Sequence, residues 1–154
     1  MHDSETTTDE PVMSTAREII QSCACHKVRM AARAVTRAYD DALRPVGLRA
    51  TQLSVLVAVA IDGAMSITEL AKFLGMDRST LTRNLAPLAK EGLVSVGAEG
   101  WRRSRELVIT KKGRARMESA VPIWQQAQTA LKRKVGERNW GTFHDQLDHV
   151  IRAA

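Results

Sequence analysis

The first third of the chain has the pattern of one long amphipathic helix. Apolar side chains recur at steps of three and four residues from Ser14 to Leu43, a segment without Gly or Pro, and this is the period of an α-helix. The run Arg44–Gly47 is expected to end the helix, because Pro45 disfavours the helical conformation in the residue before it. Such a helix is longer than a small domain needs. We therefore expect its surplus apolar surface to pack against a second copy of the chain.

The middle of the chain predicts three shorter helices. Ala50–Ile61 is apolar nearly all round and is expected to be central. Ser66–Glu69 matches a capping box, which opens a short second helix. After a turn at Gly75, Asp77 is expected to cap a third helix, whose inner face is formed by Leu81, Leu85 and Leu88. Two short helices joined by a Gly-containing turn predict a helix-turn-helix motif.

The remaining pattern predicts a hairpin and two further helices. Leu93–Val96 and Glu106–Ile109 have the composition of strands and flank a basic loop. Thr110 is expected to cap a helix that runs to about residue 135, and a final amphipathic helix follows Gly136. A helix-turn-helix followed by a hairpin with a basic tip is a winged helix. The predicted fold class is therefore mainly α with a small β-hairpin wing, a winged helix-turn-helix core and long N- and C-terminal dimerisation helices.

The positive charge of the chain is concentrated in one stretch. Residues 101–116 hold seven Lys and Arg residues against the single acid Glu106, and this excess equals the formal net charge of +6 of the whole chain. A cationic arm on an otherwise neutral body predicts docking on phosphates. Aromatic residues make up only 4% of the chain, which argues against stacking on single-stranded bases. Double-stranded DNA is the expected partner.

These patterns divide the chain into four predicted segments. Residues 1–12, which are acidic and Thr-rich, are expected to be a disordered tail. Residues 13–48 are predicted to be an N-terminal dimerisation helix, and residues 49–110 a winged-helix DNA-binding lobe. Residues 111–154 are predicted to form the C-terminal helices that complete the dimer interface.

Eight side chains are predicted to contact DNA. Five lie in the two turns of the third helix that reach base edges in the major groove: Arg78, Ser79, Thr82 and Arg83 on the outward face, with Thr80 at its flank. Three lie at the hairpin tip, where they would contact phosphate and the adjacent minor groove: Arg102, Arg103 and Arg105. The alternative for each set is a solvated polar surface. Weaker candidates follow the hairpin: Lys111, Lys112, Arg114 and Arg116.

Several short strings together resemble the MarR family of transcriptional regulators over roughly residues 14–152. They are Leu48–Gln52, Met76–Arg83, Leu85–Leu88, Glu91–Val94, Arg103–Arg105 and Ile109–Gly113. The resemblance implies a homodimer joined by its terminal helices, a palindromic DNA operator and, in most members, repression. It also implies release of DNA by a small aromatic or lipophilic ligand, or in some members by thiol oxidation. One departure is Trp101, which stands where the family wing usually has an acid that orients the wing arginine, here Arg103.

Two groups of residues are candidates for sensing. Cys23 and Cys25 suggest a redox switch. Residues i and i+2 of a regular helix point about 200° apart, so an intrachain disulfide would need local unwinding, and a bond between subunits near a dimer axis is the alternative. The same geometry argues against a metal site formed with His26, and ordinary packing of both cysteines is the third possibility. A ligand pocket is expected to involve His26, Met30, Tyr39 and Trp124, for which core or interface packing is the alternative.

Other classes of protein fit the sequence poorly. No Gly-rich phosphate loop or Gly-x-Ser-x-Gly turn is present, and neighbouring residues such as Cys25 and His26 are poorly placed as nucleophile and base. We expect no enzymatic activity and no cofactor. We also expect no membrane span, and a cytoplasmic location, since two cysteines are too few for a disulfide framework. An architectural DNA-binding protein without a sensing function remains the competing interpretation.

Overall fold

The structure, a computed structural model, describes residues 9–62, 65–97 and 106–153. The chain forms two compact units that divide between Arg37 and Ala38. Within the described ranges, no single helix is long and apolar enough to cross a membrane.

The first unit contains helix α1, Asp9–Ser22, and the larger part of helix α2, Ala24–Leu43. Helix α1 begins at Asp9, so the predicted tail of residues 1–12 is wrong for its last four residues, while residues 1–8 lie outside the described part of the chain. From Glu10 to Arg37 no side chain is buried. Apolar residues such as Ile20, which is 55% exposed, therefore lack cover within this unit.

The predicted continuous helix from Ser14 to Leu43 is interrupted at Cys23. The backbone of Cys23 keeps helical hydrogen bonds, from its nitrogen to the Ile19 oxygen (2.9 Å) and from the Lys27 nitrogen to its oxygen (3.1 Å). The hydroxyl of Ser22 donates to the Glu18 carbonyl at 2.7 Å, and this type of side-chain bond bends helices. Nothing in the apolar period of the sequence indicates this interruption.

The second unit contains the winged helix and the C-terminal helices. The end of α2 is followed by a short 3₁₀ helix, Arg44–Val46, and then by α3, Ala50–Asp62. Strand β1 (Met65–Ser66) precedes α4 (Ile67–Phe73) and α5 (Arg78–Lys90). Strands β2 (Val94–Val96) and β3 (Glu106–Ile109) lead to α6 (Lys111–Val135), a 3₁₀ turn at Glu137–Asn139 and α7 (Trp140–Ala153). The predicted mainly α fold with a small β wing is thereby confirmed.

The three strands form one antiparallel sheet in the order β1-β3-β2. In its register Val94 lies opposite Ile109, Val96 opposite Leu107, and Met65 opposite Leu107 on the other edge. Strand β1 is not apparent from the sequence, because two residues are too few to show a strand period. The sheet supports one side of a leucine-rich core, whose fully buried members include Leu56, Leu70, Leu81, Leu88, Leu93 and Leu107.

The C-terminal helix α7 carries no buried residue. Its apolar side chains are half-exposed or fully exposed, with Ile151 at 75%. Near its start, Trp140 packs edge-on against His144, with ring centroids 4.7 Å apart. An amphipathic helix of this kind is expected to bury its apolar stripe, so the cover for α7 must come from outside this unit.

Candidate nucleic-acid interface

The start of α5 is organised by the carboxylate of Asp77. One carboxylate oxygen accepts hydrogen bonds from the Ser79 hydroxyl (2.5 Å) and the Thr80 backbone nitrogen (2.8 Å), and the other accepts one from the Thr80 hydroxyl (2.7 Å). These bonds, led by those from the Ser79 and Thr80 side chains, hold the pKa of Asp77 well below its usual range. Asp77 is the predicted cap, and it also fixes two of the predicted DNA-contacting side chains.

The predicted base-contacting side chains lie on the solvent side of α5. Arg78, Ser79, Thr82 and Arg83 are exposed and Thr80 is half-buried. The hydroxyl of Thr82 donates to the Arg78 carbonyl at 2.8 Å, and the guanidinium of Arg83 donates to the Thr80 hydroxyl at 3.2 Å. Because the hydroxyl protons of Ser79, Thr80 and Thr82 are already engaged, these groups present mainly acceptor lone pairs to a partner. The two arginines supply the donors.

The opposite face of α5 fixes the helix to the core. Leu81, Leu85 and Leu88 are buried, as their spacing predicts. The Asn84 side chain also links α5 to α3. Its amide nitrogen donates to the Thr80 carbonyl (3.0 Å), and its oxygen accepts from the Thr51 hydroxyl of α3 (3.1 Å). The sequence analysis missed Asn84 and Thr51. A polar residue at the edge of an apolar helical face was the only available signal.

A cleft of about 680 Å³ lies beside α5 and is lined by Arg83, by Arg44 and Arg49, and by Gln52. At its rim the Gln52 side chain accepts a hydrogen bond from the Arg49 backbone nitrogen at 2.9 Å, which caps the first turn of α3. The Leu48–Gln52 string of the sequence therefore forms the start of α3 beside α5. Arg44 and Arg49 precede α3, and the carboxylate residue Asp40 also lines the cleft.

The predicted wing contacts cannot be placed. Arg102, Arg103 and Arg105, together with Trp101, lie outside the described residues. The strands on either side, β2 and β3, are paired as the hairpin prediction requires.

Two of the weaker basic candidates contact the protein itself. The Lys112 ammonium donates to the Glu91 carbonyl at 2.8 Å. Arg116 donates to the Val46 carbonyl at 3.0 Å and lies 3.4 Å from the Glu91 carboxylate. A lysine near the start of α6 is unfavourable for the dipole of its own helix, but here it bonds the carbonyl of the residue that caps the C-terminal end of α5. Arg114 and Lys111 are exposed.

The predicted sensing residues fall into both units of the chain. Cys23 and Cys25 are free thiols, the first half-buried and the second exposed. His26 and Met30 belong to the same unit, and in the described residues no group of three or more potential ligands is placed to hold a metal ion. Tyr39 and Trp124 belong to the second unit. The Tyr39 hydroxyl donates to the Gln128 side chain of α6, and burial raises the pKa of Tyr39.

The helix-turn-helix, the paired wing strands and the basic, rigidly capped face of α5 define a winged-helix DNA-binding protein. Comparison with known proteins supports this class. The sequence model of the MarR family matches residues 48–97. The chain is similar to the transcriptional regulator MosR of M. tuberculosis, with 38% identity over 87% of this chain and 96% of that one and a TM-score of 0.77.

A second crystal structure of MosR, in complex with DNA, gives the same TM-score of 0.77 with 39% identity over 86% of this chain and 96% of that one. A further relative is the uncharacterised HTH-type transcriptional regulator YwoH of Bacillus subtilis, 28% identical over 60% of this chain and 68% of that protein. The chain belongs to the MarR family of DNA-binding transcriptional regulators.

Proposed function

We propose that the protein is a dimeric repressor, located in the cytoplasm, that binds a palindromic operator and releases it when a small molecule binds. The proposal of sequence-specific DNA binding rests on the start of α5, where Asp77 holds Ser79 and Thr80 in place beside the exposed arginines. A face fixed before binding loses less side-chain entropy on contact with DNA. The similarity to MosR, which has been crystallised with DNA, supports the same conclusion.

Dimerisation is supported by apolar surface that each unit leaves uncovered. In the first unit Val12, Met13, Ile19 and Ile20 are all more than half exposed, and in the second unit Ile151 and Val150 of α7 are exposed. Contiguous apolar surface of this kind marks a protein interface. A second copy of the chain is the partner proposed here, because a palindromic site requires two-fold symmetry in the protein that reads it.

The roles of the DNA contacts are tested by two substitutions in binding titrations at several salt concentrations, with a duplex that the wild-type protein selects from a random library. Arg83→Ala should lower affinity by about 1–3 kcal/mol and relax the base preference. Arg103→Ala should reduce the salt slope by about 1 and leave the base preference unchanged. If neither variant differs from wild type, the proposed interface is wrong. If wild type selects no sequence, the protein is an architectural DNA binder.

The effector is proposed to be a small aromatic or lipophilic molecule that contacts Tyr39 and Trp124. In the second unit Tyr39 is half-buried and hydrogen-bonded to Gln128, and Trp124 is 40% exposed, so an aromatic surface and a polar pair are both available. The roles of His26 and Met30 remain predictions. Thermal-shift screening of aromatic acids and their thioesters tests the proposal, since a ligand that binds the native state raises Tm. Binders whose Tm shift survives Tyr39→Phe and Trp124→Ala would contradict it.

A second candidate signal is oxidation of Cys23 and Cys25. The helix is interrupted at Cys23, where one thiol is half-buried and the other, at Cys25, is exposed. Since the backbone of Cys23 keeps its helical hydrogen bonds, an intrachain disulfide would still require local unwinding. Hydrogen peroxide would accept two electrons and two protons from the two thiols as the S–S bond forms, and would leave as two water molecules. Mass spectrometry after peroxide treatment, read beside operator affinity, is the test. Unchanged affinity after quantitative disulfide formation would remove this candidate.

A further inference from the structure

Two of the sequence strings that resemble the MarR family form the two sides of one joint. The turn after α5, Glu91–Leu93, meets the start of α6 at Thr110–Gly113. The Thr110 nitrogen donates to the Leu93 carbonyl (3.1 Å), the Thr110 hydroxyl to the Gly92 carbonyl (2.7 Å) and Lys112 to the Glu91 carbonyl (2.8 Å). The C-terminal end of α5 is therefore held by α6.

Arg116, one helical turn further along α6, extends this joint to a third element. A single guanidinium nitrogen, Nη1, lies 3.0 Å from the Val46 carbonyl and 3.4 Å from the Glu91 carboxylate. Val46 ends the 3₁₀ helix that connects α2 to α3, and Glu91 ends α5. The Arg116 side chain is only 28% exposed, against 44% for Glu91, so solvent screens this contact less than a fully exposed pair.

The backbone beside Arg116 is shaped to receive it. Gly47 adopts a left-handed conformation with φ of 66°, and a Cβ at this position would lie 3.2 Å from Arg116 Nη1. A side chain at residue 47 would thus be strained by its backbone and would crowd the guanidinium. The guanidinium also lies at the C-terminal end of α5, where the helix dipole favours a cation.

We infer that Arg116 is a positioning residue for DNA recognition: it sets the orientation of α5 relative to α3 by joining Val46 to Glu91. It does so without contacting DNA, and the inference rests on the proposed reading of DNA by α5. Because coupling of this kind acts through the geometry of a neighbouring helix, its loss should affect sequence-specific binding more than general attraction to phosphate.

The test uses the full-length protein and the duplex that wild type selects from a random library, with a scrambled duplex as reference. Arg116→Met removes the guanidinium but keeps most of the apolar stem, and Arg116→Lys restores a cation that can bridge two acceptors. Arg114→Met is the matched control, since it removes the same charge from an exposed position two residues away. Fluorescence anisotropy at several salt concentrations gives affinity, salt slope and the ratio between the two duplexes.

Arg116→Met is expected to bind the selected duplex about tenfold more weakly than Arg114→Met does. Its salt slope and its affinity for scrambled DNA should match those of wild type, and Arg116→Lys should recover part of the loss. In Glu91→Gln the further effect of Arg116→Met should be smaller, because the two residues share one interaction.

Two results would overturn the inference. A salt slope about one unit lower for Arg116→Met than for wild type would show that Arg116 contacts phosphate directly. Equal affinity and equal duplex preference in folded Arg116→Met and Arg114→Met would show that Arg116 serves local stability alone. Failure of the proposed function is a separate outcome, seen in wild type itself as equal affinity for the selected and scrambled duplexes.

Discussion

The substitution Gly113→Ala sets two physical effects against each other at the joint between α5 and α6. Gly113 is the third residue of α6 and is buried. Helix propensity alone predicts that alanine stabilises this position by about 1 kcal/mol. The structure predicts the opposite sign, because a Cβ built on Gly113 would lie 1.9 Å from the Leu93 carbonyl oxygen and 2.8 Å from its carbon.

The magnitude follows from the contacts that must separate. To bring the Cβ–oxygen distance to even 3.0 Å, the backbones must move apart by about 1 Å. That movement would break the Thr110 bonds to Leu93 and Gly92, at about 1 kcal/mol each, and overpacking adds about 1–3 kcal/mol. After the propensity gain is subtracted, the free energy of unfolding should fall by about 2–4 kcal/mol.

Chemical denaturation followed by circular dichroism measures this change, with the chain concentration held constant because the proposed dimerisation would contribute to stability. Ala115→Gly is the matched control at an exposed position of the same helix, and it should cost about 1 kcal/mol. If Gly113→Ala raises the free energy of unfolding by the amount that Ala115→Gly lowers it, helix propensity dominates and the close packing of α6 on Leu93 is wrong. We also expect Gly113→Ala to weaken operator binding, because it displaces the end of α5.

Two further predictions concern the start and the inner face of α5. Since the pKa of Asp77 is lowered in the folded protein, the stability from its ionised form should be complete above the ordinary pKa near 4 and lost as the pH falls below it. The Tm difference between wild type and Asp77→Asn should therefore be constant from about pH 6 to pH 5 and shrink between about pH 4 and pH 2. A difference that does not shrink at low pH would contradict the role of the ionised cap. Asn84→Ala and Thr51→Val should each lower the free energy of unfolding by about 1 kcal/mol. In a double-mutant cycle measured by urea denaturation, the two losses should not add fully, because the residues share one hydrogen bond; full additivity would contradict that contact.

Much of the fold follows from local signals in the sequence. The predicted caps Ser66, Asp77 and Thr110 all bond the backbone nitrogen three residues on, and Glu69 completes the predicted capping box. The buried leucines of α5 follow from their helical spacing. These features could be predicted because each depends on residues within one or two turns of each other.

The features that the sequence analysis missed depend on distant partners or on a single local bond. Lys112 and Arg116 were candidates for DNA contact by charge alone, and their bonds to Glu91 and Val46 join residues far apart in the chain. The pairing of Asn84 with Thr51 is another such contact. The interruption at Cys23 follows a Ser22 hydroxyl bond that no periodicity reports. Charge indicates the surface on which a cation lies, but not the group that it contacts.

The central claim, that the capped face of α5 reads a specific DNA sequence, is tested most directly by one ratio. It is the affinity of the purified protein for its selected duplex divided by its affinity for a scrambled duplex of equal length at physiological salt. Our account predicts a ratio of roughly 10³ or more. A ratio near one would contradict it and would leave only attraction to phosphate.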